Sequence, residues 1–229
     1  NTRRLLLGLL RRVFDTLATM RLLGRAQERR LGGECTFEVR RGLLSGVVVV
    51  GPSFFQHAAF EPDFEKGLRL KDEALSEAAA FVAGKASGRT PAFLHVRRGD
   101  YLRFPSPEQP AAVSAEWIMA ALAQLRAAMP DLVLFVCTDD PAWVRGVLPE
   151  GEGIVYCDRG ELGDLAVMAS CEGGVLSASS FSWCAAFLAH HAMRSKGRAG
   201  TFIAPRYWVG HRRGEWYPPG YRFPWIQYL

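Results

Sequence analysis

The 229-residue chain lacks an apolar run long enough to cross a membrane. Its longest early run, Leu5–Leu10, is broken by Gly8 and falls far short of the ~20 residues a span needs. The five cysteines are odd in number and no CxxC pair occurs among them. That pattern speaks against a disulfide framework and for free thiols in a reducing compartment. The five histidines include no HxxxH, which argues against a structural zinc site of that kind. Aromatics are not interleaved with basic residues as a base-stacking platform would need, so no nucleic-acid partner is expected. Internal repeats and low-complexity tracts are absent. No signal-peptide pattern is seen; the chain opens on Asn1 directly in helix-like sequence, and an upstream portion is expected to precede it.

What is present describes a globular protein. Hydrophobic residues make up 49% and charged residues 22%, enough for an ample core. The net charge of +5 suits an anionic partner such as a phosphate-bearing small molecule or a membrane surface. Residues 3–30 read as one or two basic amphipathic helices, with Leu6, Leu9, Leu10, Val13, Phe14 and Leu17 at helical spacing and eight arginines on the polar side. Such a helix packs on the body of the protein or attaches peripherally to anionic lipid. Val47–Val50, between Gly46 and Gly51-Pro52, reads as a buried strand. Phe54, Phe55, Phe60 and Phe64 read as core. Lys71–Ala83 reads as a helix, and 84–90 as a linker.

Beyond the linker the pattern becomes regular. Strands are expected over 93–97, 132–138, 154–156, 174–177 and 201–204. Helices are expected over 115–129, 141–147, 162–170 and 181–193. Alternation of this kind predicts an α/β fold, a parallel sheet with helices on both faces. The tail from Pro205, rich in aromatics, proline and arginine, reads as irregular.

Ligands of such sheets bind beyond the carboxyl ends of the strands. Three polar sets fall there. The first is His95, Arg97, Arg98 and Asp100, in which His95 and Arg97 share one strand face. An arginine fork there grips phosphate oxygens, or else forms a structural ion pair with Asp100. The second set is Thr138, Asp139 and Asp140. Asp140 before Pro141 is a good N-cap, while Thr138 and Asp139 are left to face the crevice or, less readily, a metal. The third is Ser177, Ser179 and Ser180, either an anion site at a helix start or an ordinary cap. Asp164, near a helix start, favours the helix dipole or accepts hydrogen bonds from a nucleobase or ribose.

These residues resemble the α-1,2-fucosyltransferases, galactoside 2-α-L-fucosyltransferases of glycosyltransferase family 11. FLHVRRGDYL at 93–102, FVCTDDPAWVRGVLP at 135–149 and DLAVMASCEGGVLSASSFSWCAAFL at 164–188 carry the resemblance in order and spacing. PSFFQHAAF at 52–60 and APRYW at 204–208 match more weakly. The resemblance implies a GT-B-like fold of two Rossmann-type halves. Residues 1–84 would be the remainder of an incomplete, acceptor-side N-terminal half, mostly helical with a short strand. Residues 91–229 would be the GDP-fucose-binding half. It implies inverting, metal-independent transfer of fucose from GDP-fucose to the 2-hydroxyl of a galactose-terminated glycan, with no cofactor. Arg97 would hold the β-phosphate of GDP, with His95 and Arg98 shaping the site. Asp164 would contact guanine or ribose, Ser179 and Ser180 the pyrophosphate, and Thr138, Asp139 and Phe181 would complete the donor site. Asp100 is a base or a brace for the arginines.

Two departures stand out: the family's Gly-rich GGLGNQ-type block is absent, and its second Trp after Ser-Trp is Cys184. The first implies truncation and leaves two alternatives, a catalytically incomplete nucleotide-sugar-binding fragment and, more remotely, an adhesion or nucleic-acid-binding module. The expected setting is a bacterial cytoplasm or inner-membrane periphery, or a Golgi membrane for a truncated eukaryotic enzyme.

Overall fold

A computed structural model describes residues 2–31, 34–50, 58, 61–218 and 220–229. The chain divides into two compact units, residues 1–60 and 61–229. Among the described residues no helix is long and apolar enough to cross a membrane.

Among its described residues the first unit holds one α-helix and a three-stranded sheet. Helix α1 (Thr2–Thr19) is followed by strands β1 (Leu23–Leu31), β2 (Glu34–Arg40) and β3 (Leu44–Val50), in the order β2-β1-β3. β1 runs antiparallel to β2 and parallel to β3. The helix expected over 3–30 therefore stops short. Arg21 takes a left-handed φ of 61°, which an α-helix cannot continue. Beyond it the arginine-rich stretch has no apolar helical stripe, and pairing on both edges satisfies its backbone as a strand. The unit is accordingly less helical than the sequence suggests. The expected strand Val47–Val50 lies within β3, and Phe54, Phe55, Phe60 and most of PSFFQHAAF lie outside the described residues.

The second unit begins with helices α2 (Glu61–Gly67) and α3 (Asp72–Ala86). Then come β4 (Thr90–Val96), the two-residue strands β5 (Pro105–Ser106) and β6 (Gln109–Pro110), and helix α4 (Ala115–Ala128). Strand β7 (Leu132–Thr138), helix α5 (Pro141–Val147), strand β8 (Ile154–Tyr156) and helix α6 (Gly160–Ala169) follow. Strand β9 (Gly173–Val175), helix α7 (Ser180–Ser195), β10 (Thr201–Ala204) and β11 (Ile226–Tyr228) complete it. The linker expected over 84–90 is mostly not one. Gly84 to Ala86 close α3, a turn at Ser87–Gly88 stops the helix, and Thr90 already belongs to β4.

Six strands form one parallel sheet in the order β11-β10-β9-β4-β7-β8. Side chains alternate between its faces. Ala92, Leu94, Val96, Leu134, Val136, Val175 and Ile203 form a buried core with Ile118, Ala121, Leu122 and Leu125 of α4. The opposite face carries Phe93, His95, Phe135 and Cys137, beneath α3, α6 and α7. Gly174 is required in β9, because a Cβ there would stand 2.5 Å from the Phe93 ring. The tail is less irregular than its composition suggests: β11 adds an edge strand alongside β10, and Trp208, Tyr221 and Phe223 are buried. Trp183 packs on the Tyr221 and Phe223 rings, so α7 is held by the tail.

Candidate active site

Parallel strands bring their carboxyl ends to one edge, and a cleft of about 540 Å³ opens there. Its lining includes His95, Arg97, Asp100, Thr138, Asp139, Asp164, Ser179, Ser180 and Phe181. Residues from four separate stretches of sequence are thus brought together.

Arg97 leaves the end of β4 and is 41% exposed, open to a ligand. Its Nη2 lies 2.8 Å from Asp100 Oδ1, its Nε donates to the same oxygen at 3.0 Å, and its Nη1 lies 3.1 Å from Asp139 Oδ2. The guanidinium is therefore aimed by two carboxylates. Asp139 is itself fixed, accepting from the Arg98 N–H at 2.8 Å. Gly99 makes this turn possible: a Cβ at that position would sit 2.7 Å from Asp139 Oδ2.

Arg98 is not in the lining. Its Nε donates to Asp140 Oδ2 at 3.0 Å and its guanidinium lies 3.6 Å from the centre of the Trp143 ring. Consecutive residues at a strand end point apart, so only one of the two arginines faces the cleft. Asp140 also caps α5, accepting from the Trp143 N–H at 3.1 Å, and Thr138 Oγ1 accepts from the Asp140 N–H.

The three serines divide similarly. Ser177 is buried; its hydroxyl accepts from the Arg97 N–H and donates to the His95 carbonyl, both at 2.8 Å. It staples β4 to the end of β9 and is spent on that task. Ser179 caps α7, accepting from the Phe181 N–H at 3.3 Å. Ser180 is exposed at the first turn of α7, where unpaired N–H groups and the helix dipole favour an anion.

His95 lies beside Phe181, 5.5 Å between ring centres. Burial, aided by the Arg97 charge, lowers its pKa to about 3, so the ring is neutral at ordinary pH. Its Nδ1 is buried without a hydrogen-bond partner in the protein. Across the cleft Asp164 Oδ1 accepts from the Arg159 N–H at 3.1 Å, and burial raises its carboxyl above the usual range.

Tyr101, Cys137, Cys157, Asp158, Gly160 and Glu161 also line the cleft and were not singled out from sequence. Tyr101 stood within HVRRGDY, and its hydroxyl donates to the Ala178 carbonyl at 2.9 Å. Cys137 and Cys157 adjoin strand ends, which was the available signal.

The family model for glycosyl transferase family 11 matches residues 44–223. A mouse galactoside 2-alpha-L-fucosyltransferase Sec1 is 30% identical over 146 residues, covering 59% of this chain and 39% of the mouse protein. A rabbit galactoside alpha-(1,2)-fucosyltransferase 2 is 29% identical, covering 59% of this chain and 41% of the rabbit protein. The chain thus spans about two fifths of the length of these relatives. The crystal structure of POFUT1 in complex with GDP superposes with a TM-score of 0.50 at 15% identity, over 68% of this chain and 54% of POFUT1. That likeness is one of fold, a Rossmann-type α/β unit of the GT-B kind. The match across most of the sheet unit, together with the cleft at its strand ends, shows that the chain belongs to glycosyl transferase family 11.

Proposed function

We propose that this chain carries the donor site of a fucosyltransferase that moves L-fucose from GDP-fucose to the 2-hydroxyl of a galactoside, with inversion and without a metal. The observation that carries the reading is Arg97, half-exposed at a strand end and aimed by Asp100 and Asp139 beside the N-terminus of α7.

As the bond from fucose C1 to the β-phosphate oxygen breaks, negative charge grows on the departing GDP. A guanidinium already held in place stabilises that charge more in the transition state than in the ground state. The first turn of α7, with Ser180, adds partial positive charge. Inversion requires the acceptor hydroxyl to attack C1 from the side opposite the phosphate. Asp100 serves Arg97 as a brace, since two bonds from that guanidinium end on one of its oxygens. Asp139 and Asp140 are likewise tied to arginines, so these three carboxylates are engaged otherwise than as a cation cage. Neutral His95, with its unpartnered Nδ1, and Asp164 supply polar contacts for the nucleoside.

The test is transfer of labelled fucose from GDP-fucose to a galactose-terminated oligosaccharide, with the linkage read by NMR. Product with a β-linked or non-2-position fucose would refute the linkage. The coverage of the relatives favours a second reading, a unit that binds the nucleotide sugar but needs further chain to turn it over. GDP binding without transfer would select it.

A further inference from the structure

A cluster of two thiols and a carboxylate lies in the same cleft. The register that pairs Val136 with Tyr156 carries Cys137 of β7 opposite Cys157, and the Cys157 N–H donates to the Val136 carbonyl at 2.8 Å. Helix α6 covers this face of the sheet and contributes Asp164. The two Sγ atoms and a carboxylate oxygen of Asp164 lie within 4.8 Å of one another, the single such group among the described residues. All three residues line the cleft, so an ion has a path in from solvent.

We propose that Cys137, Cys157 and Asp164 form a binding site for a thiophilic divalent cation of the zinc class. Two thiolates and one carboxylate are a ligand set that zinc accepts, with remaining positions filled by water. Sulfurs sharing a tetrahedral zinc stand about 3.8 Å apart, from bonds of about 2.3 Å, within reach of a small side-chain adjustment here. Neighbouring strands lie about 4.8 Å apart, whereas a disulfide holds its Cβ atoms about 3.8 Å apart. In-register partners on parallel strands therefore suit a bridging ion better than a direct bond. The Arg159 N–H on Asp164 Oδ1 is the kind of outer contact that orients a ligating carboxylate. Both thiols must lose their protons to bind. Cation affinity therefore rises with pH.

Occupancy has a consequence for the nucleotide. A cation on Asp164 withdraws that carboxylate from the donor, so cation and GDP compete. This consequence rests on the donor site proposed above; the cation site does not.

The experiment uses Co²⁺ as the probe, titrated into the purified chain without nucleotide. Thiolate-to-cobalt charge-transfer absorption is expected, saturating at one ion per chain and bleached by Zn²⁺. Cys157→Ala, at a half-buried position, should weaken Co²⁺ binding roughly tenfold or more. Cys184→Ala, on α7 and outside the cluster, should leave it unchanged. Absence of the absorption, or the same absorption in a folded Cys157→Ala protein, would overturn the site. In a second arm Zn²⁺ should raise the apparent Kd for GDP in the parent chain and not in Cys157→Ala; an equal effect in both would overturn the competition. A chain that binds Co²⁺ but not GDP would count against the donor reading and leave the cation site standing.

Discussion

Replacing Arg97 by alanine separates what that residue does for the fold from what it does for a ligand. In the folded chain its guanidinium touches the carboxylates of Asp100 and Asp139, and it is 41% exposed while Asp100 is 63% exposed. Ion pairs this open contribute only about 0–1 kcal/mol each to stability. The variant should therefore fold, with a modest loss in melting temperature. Ligand binding should suffer far more. A charge-assisted hydrogen bond to phosphate is worth about 1.5–3 kcal/mol. Its loss also leaves Asp100 and Asp139 without their shared counter-charge, facing an incoming diphosphate. Together these argue for about 3 kcal/mol, a weakening of GDP binding on the order of a hundredfold. Calorimetric titration of GDP into both proteins measures it, with Arg97→Lys as a partner that keeps the charge and loses the fork. Equal affinity for parent and Arg97→Ala would refute the assignment of Arg97 to the phosphate.

Three further outcomes follow from the same geometry. Gly99→Ala places a methyl 2.7 Å from Asp139 Oδ2, so Asp139 must move off Arg97; GDP binding should weaken severalfold while the far-ultraviolet circular dichroism stays unchanged. Arg98→Ala removes the contact with Asp140 and the stacking on Trp143 at a side chain only 15% exposed. It should cost about 1–2 kcal/mol in chemical denaturation, and a variant as stable as the parent would contradict the bracing role. His95 has a folded-state pKa of about 3 against an ordinary 6.5, so between those values the unfolded chain binds a proton that the folded chain refuses. Stability should therefore fall as pH drops from 6.5 toward 3. His95→Gln should flatten that slope in pH-dependent thermal melts, and an unchanged slope would exclude His95 as its source.

Much of the sheet was legible in sequence, for local reasons. β7, α5, β8 and β10 have the bounds expected of them, because short apolar β-branched runs meet strong stops such as Asp140-Pro141. Alternation of strands with helices made the parallel sheet readable. β1 and β2 were not legible: their charged residues show no period, and it is pairing, of β2 with β1 and of β1 with both β2 and β3, that makes them strands. β11 was hidden in an aromatic tail whose order comes from packing on α7 and pairing with β10. Within the candidate site, the polar sets at the three strand ends were visible. Which of two adjacent arginines, and which of three serines, would face the cleft depended on orientations that spacing alone leaves open. Ser177 and Arg98 are spent on the scaffold, while Arg97 and Ser180 remain available. Cys137 lies inside an apolar strand and Cys157 just past a short one, and only the register that sets them side by side shows them as a pair.

On the proposed function, the cleft at the carboxyl ends of the strands receives a guanosine diphosphate sugar. Titration of GDP into the chain, with UDP and inorganic pyrophosphate as comparisons, tests it most directly. Saturable binding of GDP at a single site, at least tenfold tighter than UDP and lost on addition of excess GDP-fucose, is the expected result. No binding of GDP, or equal affinity for GDP, UDP and pyrophosphate, would contradict it.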